Sequence, residues 1–545
     1  MREEIKTVSG NIVDALHSRI YPGSLKVAEG KVSEIIEEKK SYDTFIIPGL
    51  VDSHIHIESS MLPPSEFARV AVIHGTVATV SDPHEVANVL GIEGVTYMIE
   101  NAKTVPLKFS FGAPSCVPAT NFETSGAYLG PKEVEELLQL KEIKYLAEVM
   151  NVPGVLNEDP EVMQKILSAK KLSKPIDGHA PGLRGKGLEK YVKSGISTDH
   201  ECLTLDEALE KINLGMKILI REGSAAKNFE EFIPLAQHHY ESLMFSSDDK
   251  HPDDLVEVYL NGLVKRAVRY GIEPLKVLKI ASVNPVLHYG LDVGLLQKGD
   301  PADFLEIDTL ENFAILRTYI NGKIVAEKGK SLLPKKEPKV INNFKAHPKN
   351  IDDFRISYEG GTLNVIEAIN GQLITNWLKA PTKTLHGAVV SDPENDILKL
   401  AIVNRYQESK VAIGFIKNFG LRNGAIASSV AHDSHNIISV GVTDEDMCSA
   451  VNLVIENKGG VCAVVGNEKI LLPLPIAGIM SNQDYFEVAQ RYKQVDRMAK
   501  TLGSTLKAPF MTLSFMALPV IPKLKLCDRG LFDGEKFQFI KVVEA

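Results

Sequence analysis

Phe45-Ile46-Ile47-Pro48-Gly49-Leu50-Val51-Asp52-Ser53-His54-Ile55-His56-Ile57-Glu58 is the stretch on which the reading of the whole chain turns. It is an apolar run that closes in polar residues. Along a strand successive side chains alternate faces, so Asp52, His54, His56 and Glu58 are expected on one face and Ser53, Ile55 and Ile57 on the other. With the apolar face packed against helices, both imidazoles project from the strand end, two residues apart, where they can share one metal ion. Two unrelated histidines are the competing reading, and the rest of the sequence decides against it.

Seven further runs repeat the pattern: GTVATVSDPHE, LKFSFGAPS, KYLAEVMN, KPIDGHAPG, GISTDHE, KILIREGS and ESLMFSSDD. Helical stretches such as PKEVEELLQLK and LTLDEALEKINLG lie between them, the alternation of a parallel α/β domain. Eight strand-plus-helix units over roughly 240 residues predict a (β/α)8 TIM-like barrel, whose reactive residues sit at the C-terminal ends of its strands. The polar clusters fall at those ends. Residues 1–46 and 286–332 read as short strands broken by Gly turns and are expected to form one small flanking β domain, split by the barrel at 47–285. Residues 333–350, rich in Lys and Pro, read as a linker. Residues 351–545 carry enough apolar periodicity for a C-terminal mixed α/β domain.

The composition narrows the functional classes. Hydrophobic residues make up 44% of the 545, charged residues 24%, and the net charge is -9. An acidic balance argues against a nucleic-acid partner and favours a small neutral substrate. No uncharged apolar run is long enough to span a bilayer, and the N-terminus MREEIKTVSGN lacks the apolar core of a signal peptide. Cys116, Cys202, Cys448, Cys462 and Cys527 are scattered and form no CxxC pair, as expected for a reducing cytoplasm without a thiolate metal site.

The other strand ends complete the metal reading. Glu148 is an acid inside an otherwise apolar strand, where an unpaired carboxylate is costly. A metal explains it, and a buried salt bridge is the alternative. His179 and His200 each end a strand just before a loop. Asp248 and Asp249 follow MFSS at the eighth strand end, where adjacent acids repel without a cation. Four histidines, one glutamate and one aspartate at the same end of one barrel are poorly explained by chance.

The motifs PGLVDSHIHIESS, SDPHE, LAEVMN, DGHAPG, DHE and SSDD, in that order, resemble the amidohydrolase superfamily and, within it, the adenine deaminase family. GDPADF in the flanking segment and GLRNGAIASSVAHDSHNI near the C-terminus extend the resemblance over nearly the whole chain. It implies a binuclear centre in which His54, His56 and Asp248 hold one ion and His179 and His200 the other, bridged by Glu148 where many superfamily members use a carboxylated lysine. It implies Mn2+ or Fe2+, with Zn2+ also suited to these ligands. The implied reaction converts adenine and water to hypoxanthine and ammonia, in purine salvage or nitrogen release. A metal-activated hydroxide attacks C6, and Asp248 accepts the water's proton. Glu58, Asp82, Glu85 and Asp249 are the candidates for protonating the ring. Glu58 and Glu85 are assigned as catalytic, and Asp82 and Asp249, together with His84, as substrate-binding. A rigid Pro turn opening a helix is the alternative for Asp82-Pro83-His84-Glu85.

His56-Ile57-Glu58 fits the HxE of the zinc nucleobase deaminases, but no PCxxC follows. A cyclic-amide hydrolase of the dihydroorotase or hydantoinase type is expected to carry the bridging lysine. A pseudoenzyme is expected to lack ligands, yet all six are present. The loop GHAPGLRGKG, with Arg184 and Lys186, reads as a mobile loop over the mouth. His432, Asp433, His435 and Asn436 are expected to close over the active site, form a second metal site, or simply make a turn. His238 and His239 fall on a helix and have no assigned role. Three sets of exposed edges make a homodimer or larger homo-oligomer plausible.

Overall fold

Gly49 divides the opening run in two. A Cβ there would lie 2.4 Å from Val77 Cγ1, so only glycine allows the neighbouring strand to approach this closely. The computed structural model describes residues 6–544; residues 1–5, part of the expected N-terminal β segment, and residue 545 lie outside it. Strands β1 (Lys6–Asp14), β2 (Arg19–Ala28), β3 (Lys31–Glu37) and β4 (Phe45–Pro48) precede the glycine. β5 (Leu50–Ile55) follows it and belongs to a different sheet. The expected single run is therefore two strands.

β5 begins a curled parallel array. It is followed by β6 (Thr76–Ser81), β7 (Lys108–Ala113), β8 (Ile143–Val149), β9 (Ile176–Gly178), β10 (Thr198–Asp199), β11 (Lys217–Arg221) and β12 (Leu243–Ser246). β5 to β9 form one parallel sheet and β10 to β12 another. Backbone bonds cross both seams. Ser197 N donates to Ile176 O at 2.9 Å, and Asp248 N donates to His54 O at 3.0 Å. The array fits a TIM-like barrel, with Leu50, Val51 and Phe245 among its fully buried apolar residues. Helices return the chain between strands, and their starts are legible. Thr204 Oγ1 accepts from Glu207 N at the head of Leu205–Asn213, and Asp159 caps Pro160–Lys171.

Beyond the array, β13 (Phe304–Ile307), β14 (Ile315–Ile320), β15 (Lys323–Glu327) and β16 (Lys330–Ser331) rejoin the N-terminal strands in the order β16-β15-β14-β13-β4-β1-β2-β3. The stretch 333–350 holds no regular element. A nine-stranded sheet follows, built from strands between Thr362 and Glu544. Helix Asp444–Glu456 packs on it, and helix Tyr485–Thr501 reaches back to helix Pro252–Glu257 beside the array. Among the described residues no helix is long and apolar enough to cross a membrane.

Candidate metal centre

The strand ends of the array converge on one buried point. β5 and the residue after it bring His54 Nε2 and His56 Nε2 to 3.2 Å of each other. Asp248, just past β12, places Oδ1 3.5 Å from His54 Nε2 and 3.2 Å from His56 Nε2. Its backbone lies in the left-handed region, φ 54°, and this bend turns the side chain toward β5. Glu148 on β8 faces both groups of imidazoles. Its Oε1 lies 3.4 Å from His56 Nε2, and its Oε2 lies 2.9 Å from His179 Nδ1 and 3.3 Å from His200 Nε2. All six expected ligands come together.

The donor chemistry suits cations. His56 Nδ1 is 3.2 Å from the Asp82 carbonyl, to which it donates, leaving the Nε2 lone pair toward the centre. Facing His54 and His56 nitrogens cannot both carry protons at 3.2 Å without repulsion. His54, His56 and Asp248 form one compact set of potential ligand atoms, and His54, Glu148 and His200 another. Burial pushes the Glu148 carboxyl up, but His179 and His200 outweigh it and hold the group well below the usual carboxylate range. A buried carboxylate and three imidazoles in this geometry fit a metal centre better than an isolated salt bridge.

Other expected residues are placed more variously. Glu58 does not continue the strand face. It lies in a 3-10 turn, Ile57–Ser60, because β5 ends at Ile55, and its Oε1 accepts from Val86 N at 3.2 Å. Burial raises its pKa to about 7. Asp52 turns away from the centre and accepts from Ser247 and Tyr259. Asp82 caps the His84 backbone and lies 3.2 Å from His84 Nδ1, which is 3.5 Å from Glu148 Oε1. The turn reading of Asp82-Pro83-His84-Glu85 therefore holds, since helix His84–Leu90 starts there, and the same turn also delivers His84 to the centre. Asp249 accepts from Ser59 Oγ at 2.5 Å. In the loop after β9, Arg184 pairs with Glu210 at 2.7 Å, and Gly185 opens helix Gly185–Lys193. His238 and His239 end a short helix, as expected.

Glu85 joins the two halves of the chain. Its Oε1 lies 2.5 Å from His432 Nδ1, and its Oε2 contacts His435 Nε2. One carboxylate charge cannot protonate both rings. Burial disfavours charge on each, yet Glu85 raises His432 to about 9 while burial leaves His435 lowered to about 4. Segment 432–436 thus packs against Glu85, and His84, Glu85 and Asp433 form a further group of potential ligand atoms.

Arg221 carries no signal in the sequence beyond an arginine ending a strand. It is 6% exposed, with Nη1 2.7 Å from Asp248 Oδ2 and Nη2 2.9 Å from Glu201 Oε2. Burial pushes the Asp248 carboxyl up, and the guanidinium overrides this to hold it well below the usual range. Arg221 therefore fixes one Asp248 oxygen and leaves Oδ1 for the centre. Arg221→Met strands two buried carboxylates, and chemical denaturation is expected to show a loss of about 3–5 kcal/mol. A loss under about 1 kcal/mol contradicts this account.

Parallel strands that bring four imidazoles and two carboxylates to one end of a curled sheet define a metal-dependent hydrolase of the amidohydrolase type. Residues 45–325 match the amidohydrolase family, and residues 372–538 match the adenine deaminase C-terminal domain. Proteins named adenine deaminase are similar over nearly the whole chain. The one from Sulfurovum sp. is 55% identical across 98% of this chain and 99% of its own. Those from Salinibacter ruber and Methanosarcina barkeri are 51% and 50% identical, covering 98% and 99% of this chain and 98% and 99% of theirs. The chain belongs to the adenine deaminase family of amidohydrolases.

Proposed function

We propose that this protein hydrolyses adenine to hypoxanthine and ammonia at a pair of divalent cations. The observation that carries the reading is Glu148, whose Oε1 faces His56 while its Oε2 faces His179 and His200. The names of relatives 50–55% identical over the full chain support adenine as the substrate. His54, His56 and Asp248 would hold one ion and His179 and His200 the other, with Glu148 between them. Imidazole and carboxylate donors without thiolate suit Mn2+ or Fe2+, and Zn2+ is compatible. Bound there, the cations supply Lewis acidity that lowers the pKa of water toward about 7.

The chain's own groups manage the protons. In the net reaction a C6–O bond forms and the C6–N bond to the amino group breaks. Asp248 Oδ1 takes a proton from water and passes one toward the departing ammonia, while Arg221 holds Oδ2. Glu58, poised near 7, is suited to hold a proton for the purine ring. Burial pushes the Glu85 carboxyl up, but His432, His435 and His84 hold it well below the usual carboxylate range, so as the second candidate it would act through the proton on His432. His84, Asp82 and Asp249 would bind the base.

The same proposal covers the organisation: a flanking β domain from 1–46 and 286–332, a closed (β/α)8 barrel at 47–285, a linker at 333–350 and a C-terminal α/β domain at 351–545. Five buried free cysteines support a reducing, cytoplasmic setting, and we place the chain there as a homo-oligomer. The test measures ammonia from adenine and ring opening of dihydroorotate, with and without added Mn(II). Ammonia from adenine, stimulated by Mn(II), is expected. Turnover of dihydroorotate alone would overturn the assignment in favour of a cyclic-amide hydrolase.

A further inference from the structure

We propose that Asp433, supplied by the C-terminal half of the chain, accepts the imidazole-edge N–H of the substrate purine. This inference deepens the reading above and rests on it.

Asp433 is 2% exposed, and its Oδ2 has no hydrogen-bond partner among the described residues. His84 Nε2 lies 3.9 Å from Oδ2 and His432 Nδ1 4.0 Å from Oδ1, both beyond hydrogen-bond distance, and His84, Glu85 and Asp433 bring potential ligand atoms within 4.8 Å of one another. A buried carboxylate oxygen left without a donor is costly, and a ligand that brings a donor removes that cost.

The position of that oxygen indicates which donor. The His84 ring lies between it and the centre, with Nδ1 3.5 Å from Glu148 Oε1 and Nε2 3.9 Å from Asp433 Oδ2. The carboxylate thus stands about one ring's width from the groups that act on C6. Adenine carries two kinds of N–H. The 6-amino group departs at the centre, so the imidazole N–H is the donor left for a carboxylate on the far side. A purine with a substituent on N9 has no such proton.

The segment is also held rigidly. Glu85 grips His432 and His435 on either side of Asp433. Phe515 stacks on His432 with centroids 4.3 Å apart. Tyr406 Oη donates to Ser434 O at 2.6 Å, and Asn436 Nδ2 donates to Thr124 O at 2.9 Å. A fixed acceptor is what discrimination by hydrogen bonding requires.

The experiment uses the full-length, metal-loaded enzyme. A hydrogen bond to a charged group contributes about 1.5–3 kcal/mol, so Asp433→Asn is expected to raise KM for adenine about 10- to 100-fold. The inhibition constant of hypoxanthine, which keeps the imidazole N–H, rises in parallel, while kcat and metal content change little. A second arm needs no variant: adenine raises the melting temperature of a slow or metal-exchanged wild-type enzyme, whereas 9-methyladenine does not. Unchanged KM and inhibition constants, or equal stabilisation by both bases, overturns the inference. A third ion in the wild type that disappears in Asp433→Asn also overturns it, by making the residue a metal ligand. Wild-type enzyme that releases no ammonia from adenine defeats the underlying reading instead.

Discussion

Glu148→Ala is expected to bind one divalent ion or fewer where the wild type binds about two, because a shared carboxylate is removed from between two ligand groups. The variant keeps His54, His56 and Asp248 in mutual contact and also keeps the 3.3 Å approach of His179 and His200. Neither group then has the oxygen that completes it. A metal pair supplies several kcal/mol of transition-state stabilisation, and each 1.36 kcal/mol is tenfold, so adenine turnover should fall on the order of a thousandfold or more. Elemental analysis of purified protein beside a steady-state ammonia assay reads both effects. An unchanged ion count with normal activity removes Glu148 from the bridging position and with it the binuclear proposal.

Asp248→Asn separates a charge from a shape. The amide keeps the volume and can still accept from Arg221, but the negative charge between His54, His56 and the guanidinium is gone. Loss of a positioned proton acceptor costs about 10²- to 10⁴-fold, so kcat is expected to drop by that factor. KM should move far less, since Asp248 acts on the reacting water. Titration of kcat with added Mn(II) distinguishes weakened metal binding from lost proton transfer. Full rescue by excess metal would show that Asp248 acts only as a ligand.

Much of the site was readable before any tertiary contact was known. The six proposed ligands follow from one local rule, that a polar residue ending an apolar strand in an α/β barrel points into the mouth. β5, β8 and β12 obey it, and their side chains meet because parallel strands place their C-terminal ends together. What local periodicity misjudged is equally specific. The alternation from Asp52 to Glu58 breaks after Ile55, where the strand turns into a 3-10 segment, and Glu58 leaves the common face. A pattern of alternating residues cannot report where its own backbone hydrogen bonds stop.

On its own, the sequence determined the parallel α/β architecture, the order of the strand ends and the six side chains proposed to bind metal, since these depend on spacings of a few residues. Tertiary structure alone decided that Arg221 locks Asp248 and that Glu85 grips His432 and His435 across separations of 347 and 350 residues. Such pairings depend on how whole layers pack, and neither residue type nor local spacing encodes that packing.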